Sequence, residues 1–424
     1  MDLLNIDYDK YTLGNGLDVI LHKNDSLPIV AVNIWYKAGS SNEKKGKTGI
    51  AHLFEHMMFQ GSLNVAKEQH FKFIQEAGGT LNGSTSFDRT NYYEKVPSNF
   101  LELILWLESD RMGYLLPALT QEKLNNQKDV VTNERLERYD NQPYGLAWEK
   151  LINAVYPEGH PYNWPTIGFI NDIASFTLDD VRSFFNTYYA PANASLCITG
   201  RFDKQQTKDH IENYFGSIPG GKSVQLKVKD PGPLEKDILI THKENVQLER
   251  LYLAWRTDKG FGPDDAALDI LADILSGSKN ARLYKNLVYD KEIAQDVTAY
   301  QYSGKYAGHF MIIVTAKPGH SLDIIKSEIF KELELICNQG VSSRELLRSK
   351  NGIKSGFIYS MQNLDILADQ LNFYSFALNN PNSFNADLER YELVSDDDIK
   401  KSVSTYLQKC YTELRILPNE KQAI

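Results

Sequence analysis

Two stretches in opposite halves of this chain carry the same run of signals. Ser175-Phe-Thr-Leu-Asp-Asp-Val-Arg-Ser-Phe-Phe-Asn-Thr-Tyr188 is an acidic helix start and a helix ending in Thr-Tyr, followed by the strand-like Ala194 to Ile198. Val394-Ser-Asp-Asp-Asp-Ile-Lys-Lys-Ser-Val-Ser-Thr-Tyr406 repeats that order before the strand-like Thr412 to Leu417. The strand and helix signals from Ile29 to Gly61 are echoed from Leu248 to Gly277. Two matches in the same order at nearly the same offset indicate a duplicated unit. Between the copies, Ser217-Ile-Pro-Gly-Gly-Lys222 and Pro231-Gly232-Pro233 punctuate the chain as a linker does. The expected organisation is an N-terminal domain over 1–218, a linker over 219–234 and a C-terminal domain over 235–424. Strand and helix signals alternate within each half, so the fold class is α+β: two homologous domains, each an antiparallel-rich sheet covered by helices.

Local patterns fill in the first copy. Tyr11 to His22 reads as a hairpin turning at Asn15-Gly16. Pro28 to Tyr36 is a β-branched and aromatic run suited to a buried strand. Helical periodicity follows over Lys47 to Phe59, strand signal over Thr85 to Val96, and helical periodicity again over Asn99 to Leu116 and Gln121 to Asp140. At 42% apolar and 24% charged residues, the chain of 424 residues can bury a sizeable core, which excludes collagen-like and disordered readings. A formal charge of −9 argues against a nucleic-acid binder, which shows a basic surplus. Cys197, Cys337 and Cys410 lie far apart and form neither a disulfide framework nor a CxxC metal site. The start, MDLLNIDYDK, lacks a basic n-region and an apolar h-region, and no run approaches a membrane span. The expected compartment is the cytoplasm, or the periplasm if a signal peptide has been removed.

The chemistry-bearing cluster is Gly49-Ile-Ala-His52-Leu-Phe-Glu55-His56-Met-Met-Phe59. Each helical residue advances about 100°, so His52 and His56 lie within about 40° of one another, one turn apart, able to hold one metal. Glu55 projects beside them, within reach of a water on that metal. This is the inverted zinc-protease motif His-x-x-Glu-His. Neutral imidazoles suit zinc, and a catalytic zinc normally takes three protein ligands and a water. The third ligand must come from elsewhere. The charged helix Gln127 to Arg138 offers Glu134 and Glu137, which spacing alone does not separate.

With these residues in view, the chain resembles the M16 metallopeptidases, the pitrilysin, insulysin and mitochondrial-processing-peptidase group, in their short-chain bacterial, zinc-bearing form. The resemblance extends over nearly the whole chain, including Asn82-Gly-Ser-Thr-Ser-Phe-Asp-Arg-Thr-Asn-Tyr92, Asn133-Glu-Arg135, Asn141-Gln-Pro-Tyr-Gly145 and His160-Pro-Tyr-Asn-Trp-Pro-Thr-Ile-Gly168. It implies the fold shared by LuxS and mitochondrial processing peptidase, and one zinc per chain held by His52, His56 and Glu134. Glu55 would be the general base of a zinc-dependent endopeptidase or oligopeptidase working in a closed chamber. Many members carry a supporting glutamate seven residues before the third ligand; here that position is Gln127, which can hydrogen-bond but brings no charge. The implied substrate is an extended peptide laid against an edge strand, contacted by Asn82, Gly83 and Ser84. His160 is expected to shape its loop rather than bind metal.

The second copy carries no such cluster. Aligning Gly61 with Gly277 puts Leu268, Leu271 and Ala272 where His52, Glu55 and His56 stand, so no second zinc site is expected. Many family members place in this half an arginine, and a tyrosine seven positions later, that face the substrate after an Arg-Leu-Tyr segment. Arg282-Leu283-Tyr284 sets that register and puts Val288 and Gln295 at the two positions, while Arg282 and Tyr289 have the spacing but sit six positions early. The expected partner is therefore a similar-sized M16 subunit that supplies the pair, with no nucleic acid and no membrane involved. A homodimeric peptidase, or a non-catalytic peptide-binding or assembly subunit, is the competing expectation; the intact His52, Glu55, His56 and Glu134 set argues against the latter.

Overall fold

The computed structural model describes residue 4 and residues 6–419. Six strands form one sheet: β1 (Asp9–Thr12), β2 (Asp18–Lys23), β3 (Ile29–Tyr36), β4 (Thr80–Thr85), β5 (Thr90–Pro97) and β6 (Ala194–Gly200), in the order β1-β2-β6-β3-β5-β4. Five form a second: β7 (Ile238–Glu244), β8 (Arg250–Thr257), β9 (Ala294–Ser303), β10 (Gly308–Ala316) and β11 (Thr412–Pro418), in the order β7-β11-β8-β10-β9. With β1 set aside, the two orders correspond strand for strand. In both, the first pair is parallel and every other pair antiparallel. The duplication read from sequence is thus a duplication of topology. The helices that announced it, Leu178–Tyr188 and Asp396–Ser402, both begin in capping boxes, Thr177 with Asp180 and Ser395 with Asp398.

Most local expectations match. Thr12 pairs with Asp18 across the first hairpin, and Gly16 takes the positive φ of its turn at 91°. Central β3 is buried almost throughout, as a strand covered on both faces must be. Two boundaries differ. The strand signal that begins at Thr85 is the end of β4, a turn closed by Ser86 N donating to Arg89 O, and β5. The helix expected to run to Asp140 is α-helical over Gln121–Arg135 and widens into a π turn over Leu136–Asp140, where Asn141 N reaches back to Leu136 O at 2.9 Å.

The compact units are not contiguous in sequence. One gathers the chain up to Arg135 with Trp164–Lys227 and Phe357–Asn385; the other gathers Leu136–Asn163, Val228–Gly356 and the chain from Ala386 onward. The passage at Lys227 falls inside the 219–234 linker, but residues 136–163 and 357–385 depart from the domains 1–218 and 235–424. The reason is cover. A sheet face must be buried under another layer, and the first sheet takes the helix Leu364–Leu378 across β6, β3 and β5. That helix arrives with polar groups matched to polar groups on the strands. Asp369 Oδ1 accepts from Trp35 Nε1 (2.7 Å), Asn91 Nδ2 (2.9 Å) and Asn33 Nδ2 (3.1 Å), and Asn372 Oδ1 accepts from Ser195 Oγ (2.7 Å). In the second unit the helix Ala147–Val155 packs on β8 and β11, where Arg256 Nε donates to Val155 O.

The second-sheet counterpart of the His52 helix is Asp265–Ser276, and its Leu268, Leu271 and Ala272 are buried in that unit's apolar core. Among the described residues no helix is long and apolar enough to cross a membrane.

One buried histidine gives this unit a measurable pH signature. His309 on β10 is 1% exposed, its Nδ1 is 2.9 Å from the Tyr156 hydroxyl, and burial pulls its pKa down to about 3. The ring is neutral in the fold but takes a proton below about 6.5 in the unfolded chain. Its contribution is therefore complete above about pH 6.5 and is lost progressively as pH falls toward 3, by at most about 1.4 kcal/mol per pH unit. His309→Gln, which does not titrate, is expected to close part of its stability gap to the wild type as pH falls from 7 to 5; urea unfolding at both pH values measures this.

Candidate metal centre

The helix Ile50–Met57 turns Ile50, Leu53, Phe54 and Met57 inward. Phe54 packs on Tyr189 at 4.3 Å between ring centroids, with Phe184 and Phe185 at 5.7 and 5.9 Å. That spacing leaves His52, Glu55 and His56 on the other face. The start of the helix is fixed from outside. Gly49 sits at φ 88°, and a side chain there would meet Ile167 O at 2.7 Å, so the position requires glycine. The buried Glu43 carboxyl accepts from Ala51 N (2.8 Å) and Gly49 N (2.9 Å), and Asp172 Oδ2 accepts from Thr48 Oγ1 (2.7 Å) and Thr48 N (3.0 Å). Burial raises the Glu43 pKa to about 8, against the pull of its two backbone donors.

Glu134 comes from the last turn of Gln121–Arg135, held down by buried Val131 and by Arg135, whose Nη1 donates to Gly168 O. Its Oε2 lies 3.3 Å from His56 Nε2 and 3.8 Å from His52 Nε2. The His52 and His56 rings are 4.9 Å apart, and one donor atom from each of the three residues falls within 4.8 Å of the others. Tetrahedral ligands at zinc distances stand about 3.3 Å apart. Two imidazoles and a carboxylate at this separation fit zinc after a small closure. Glu137, the alternative left open by spacing, is exposed on the π turn.

Glu55 is tied to the sheet rather than to the three donor residues. Its Oε2 accepts from Thr85 Oγ1 at 2.5 Å, and its Oε1 lies over Gly83, where a Cβ would approach to 3.1 Å. Burial raises its pKa, the Thr85 bond and His56 oppose that, and the Glu134 charge adds to it. Asn82, Gly83 and Ser84 lie on β4, the edge strand beside this carboxyl. Gly83 N–H donates to Asn82 Oδ1 (2.9 Å), while Ser84 Oγ turns to Asn91 Oδ1 (2.6 Å) on the opposite face. Gln127 is buried two turns before Glu134, and its amide donates to Asn126 Oδ1 at 3.0 Å, not to any of the three donors. His160 shapes its loop, with Nδ1 accepting from Tyr162 N (3.2 Å) and its ring stacked on Tyr156.

A second group of metal-type donors, His70, Glu94 and Glu108, is buried in the same unit. Arg111 already occupies it, bonded to Glu108 through Nε (2.9 Å) and Nη2 and to Glu94 through Nη2 (3.2 Å). The guanidinium supplies the positive charge that a metal would bring. The sequence reading passed over Glu43, Thr85 and Arg111.

A two-histidine, one-carboxylate donor set beside a further half-buried carboxyl, on the first of two duplicated α+β units, is the arrangement of a metal-centred hydrolase. Comparison with known proteins takes this to a family. Residues 18–166 match the family described as insulinase (peptidase family M16), and residues 175–353 match the peptidase M16 inactive domain. Zinc protease PqqE of Helicobacter pylori is 30% identical over 84% of this chain and 80% of its own length. An uncharacterised zinc protease of Bacillus subtilis, YmxG, is 27% identical over 83% of this chain and 84% of its own. The crystal structure of a protease from Helicobacter pylori superposes with a TM-score of 0.89 at 27% identity, covering 97% of this chain and 100% of that one. The chain belongs to peptidase family M16.

The Glu43 clamp is open to test. Glu43→Ala strands two buried helix-start N–H groups, each expected to cost about 1–3 kcal/mol. Urea denaturation should show a correspondingly lower midpoint, with Glu43→Gln losing less because its amide oxygen still accepts.

Proposed function

We propose that this chain is a zinc-dependent peptidase that hydrolyses extended peptides, with His52, His56 and Glu134 as the ligands of one zinc. The observation that carries the reading is the meeting of His52 Nε2, His56 Nε2 and Glu134 Oε2 within bonding reach of one ion, with the Glu55 carboxyl between them and an open strand edge. Zinc held there supplies the positive charge that acidifies a water and polarises the scissile carbonyl. Glu55 takes the proton of the attacking water and passes it to the departing amine. Gly83 N–H points to the open side of β4, where an incoming carbonyl can replace Asn82 Oδ1. A peptide added to that edge would be held by main-chain bonds, which tolerate many sequences. Asn82 and Ser84 would flank the contact.

Glu55→Gln keeps the side-chain shape and loses the base, so it should bind zinc normally while hydrolysis falls by about 10²–10⁴-fold. His52→Ala and His56→Ala should lose the metal itself. Elemental analysis and a quenched-peptide assay, with and without chelator, separate the two outcomes. Substantial turnover by zinc-loaded Glu55→Gln would defeat this assignment.

The second unit supports the further reading of a partner subunit. Val288, at the position of the family's substrate-facing arginine, is packed against the core, and Gln295 is exposed on β9. Arg282, the nearest arginine, is committed to Glu345 (2.7 Å) and Glu332 (3.0 Å). Among the described residues neither Val288 nor Arg282 brings a guanidinium to that position, which supports the reading of a heteromeric enzyme whose other M16 subunit supplies one. Purified chain should show weak peptidase activity that rises on adding such a partner. Full activity from the lone chain, unchanged by the partner, would rule the assembly out.

A further inference from the structure

The contact between the sheet and the base points beyond the ligand set. The geometry points to Thr85 as the positioning residue that aims Glu55, leaving Oε1 as the oxygen that receives the proton; this rests on the peptidase reading above. A glutamate has several rotatable bonds, and nothing in a helix face alone fixes where its carboxylate ends. Here Oε2 is held by the Thr85 hydroxyl at 2.5 Å. The direction of that bond is set by the neighbouring strand. Thr85 and Thr90 are cross-strand partners, their hydroxyl oxygens 3.4 Å apart, and Thr90 Oγ1 donates to Ala38 O at 2.9 Å. The Thr90 proton is thus committed to the backbone, and the Thr85 proton is the one given to Glu55. An ionised carboxylate only accepts, so Oε2 gives one of its two acceptor sites to this donor, while Oε1 accepts from none of the described residues and keeps both sites open for a proton. Oε1 in turn lies over a residue without a side chain, since a Cβ on Gly83 would stand 3.1 Å away. Threonine suits the post because its branched Cβ restricts χ1 and fits a strand.

The test replaces the hydroxyl while keeping the branch. Thr85→Val should bind zinc in the wild-type amount and keep the wild-type KM, while kcat falls about 10–100-fold, the loss expected from a misplaced catalytic group. Thr85→Ser, which restores a donor, should recover most of kcat. Thr85→Ala serves if the valine variant does not fold, with the same expected split. Crystal structures of the zinc-loaded proteins supply a readout independent of turnover: the Glu55 carboxylate should leave its place in Thr85→Val and keep it in Thr85→Ser. An unchanged kcat in Thr85→Val, a Thr85→Ser as slow as Thr85→Val, or loss of zinc from Thr85→Val would overturn the assignment. If the zinc-loaded wild type cleaves no peptide even with its M16 partner added, the peptidase reading fails by itself, and the Glu55 position in the Thr85→Val crystal decides the positioning role.

Discussion

An eight-residue helix does not hold itself together in water. Isolated helices shorter than about 12–15 residues are marginal, and the helix that carries His52, Glu55 and His56 runs only from Ile50 to Met57. Its existence is a tertiary fact. Glu43 and Asp172 fasten its entry, Phe54 anchors its inner face among Tyr189, Phe184 and Phe185, and the Glu134 helix packs along its flank. Metal geometry needs ligand atoms placed to a few tenths of an ångström, and that placement is inherited from these clamps.

Just past the helix, the chain is bound to the sheet by a buried charge. The Arg111 guanidinium lies 5.1 Å from the Phe59 ring and 4.2 Å from the Tyr92 ring while bonding Glu94 and Glu108. A buried ion pair adds little net stability, but removing one member leaves the others uncompensated. Arg111 thus joins three elements, the segment after the His52 helix, β5 and Leu101–Tyr114, through one group that cannot move without cost. His70 sits beside the network as a neutral ring, its pKa brought down to about 3 by burial and by the Arg111 charge.

The parts of this structure legible in the sequence are those governed by local periodicity. The His52–His56 pairing needs only the helical repeat, and the duplicated topology needs only two matched runs of signals. Glu134 was different. Its distance from His56 depends on how two helices pack, so spacing left it level with Glu137, and the family resemblance singled it out before the geometry did. Glu43, Thr85 and Arg111 were silent because each acts on a partner distant in sequence and belongs to a residue type common on surfaces. The family position held by Gln127 suggested support for the ligands, yet its amide turns to its neighbour Asn126, a choice of rotamer that no pattern encodes.

The helix Leu364–Leu378, which covers the first sheet, has a consequence in time as well as in space. All six strands of that sheet have been synthesised once the chain reaches Gly200, but the helix that buries Trp35, Asn33 and Ser195 comes more than a hundred and fifty residues later. At about 5–20 residues per second, that interval is on the order of 10–30 s. During it the nascent sheet offers an unroofed face whose polar ladder has no partner. The first unit cannot be finished as it emerges, and the order of manufacture makes its completion wait on the second.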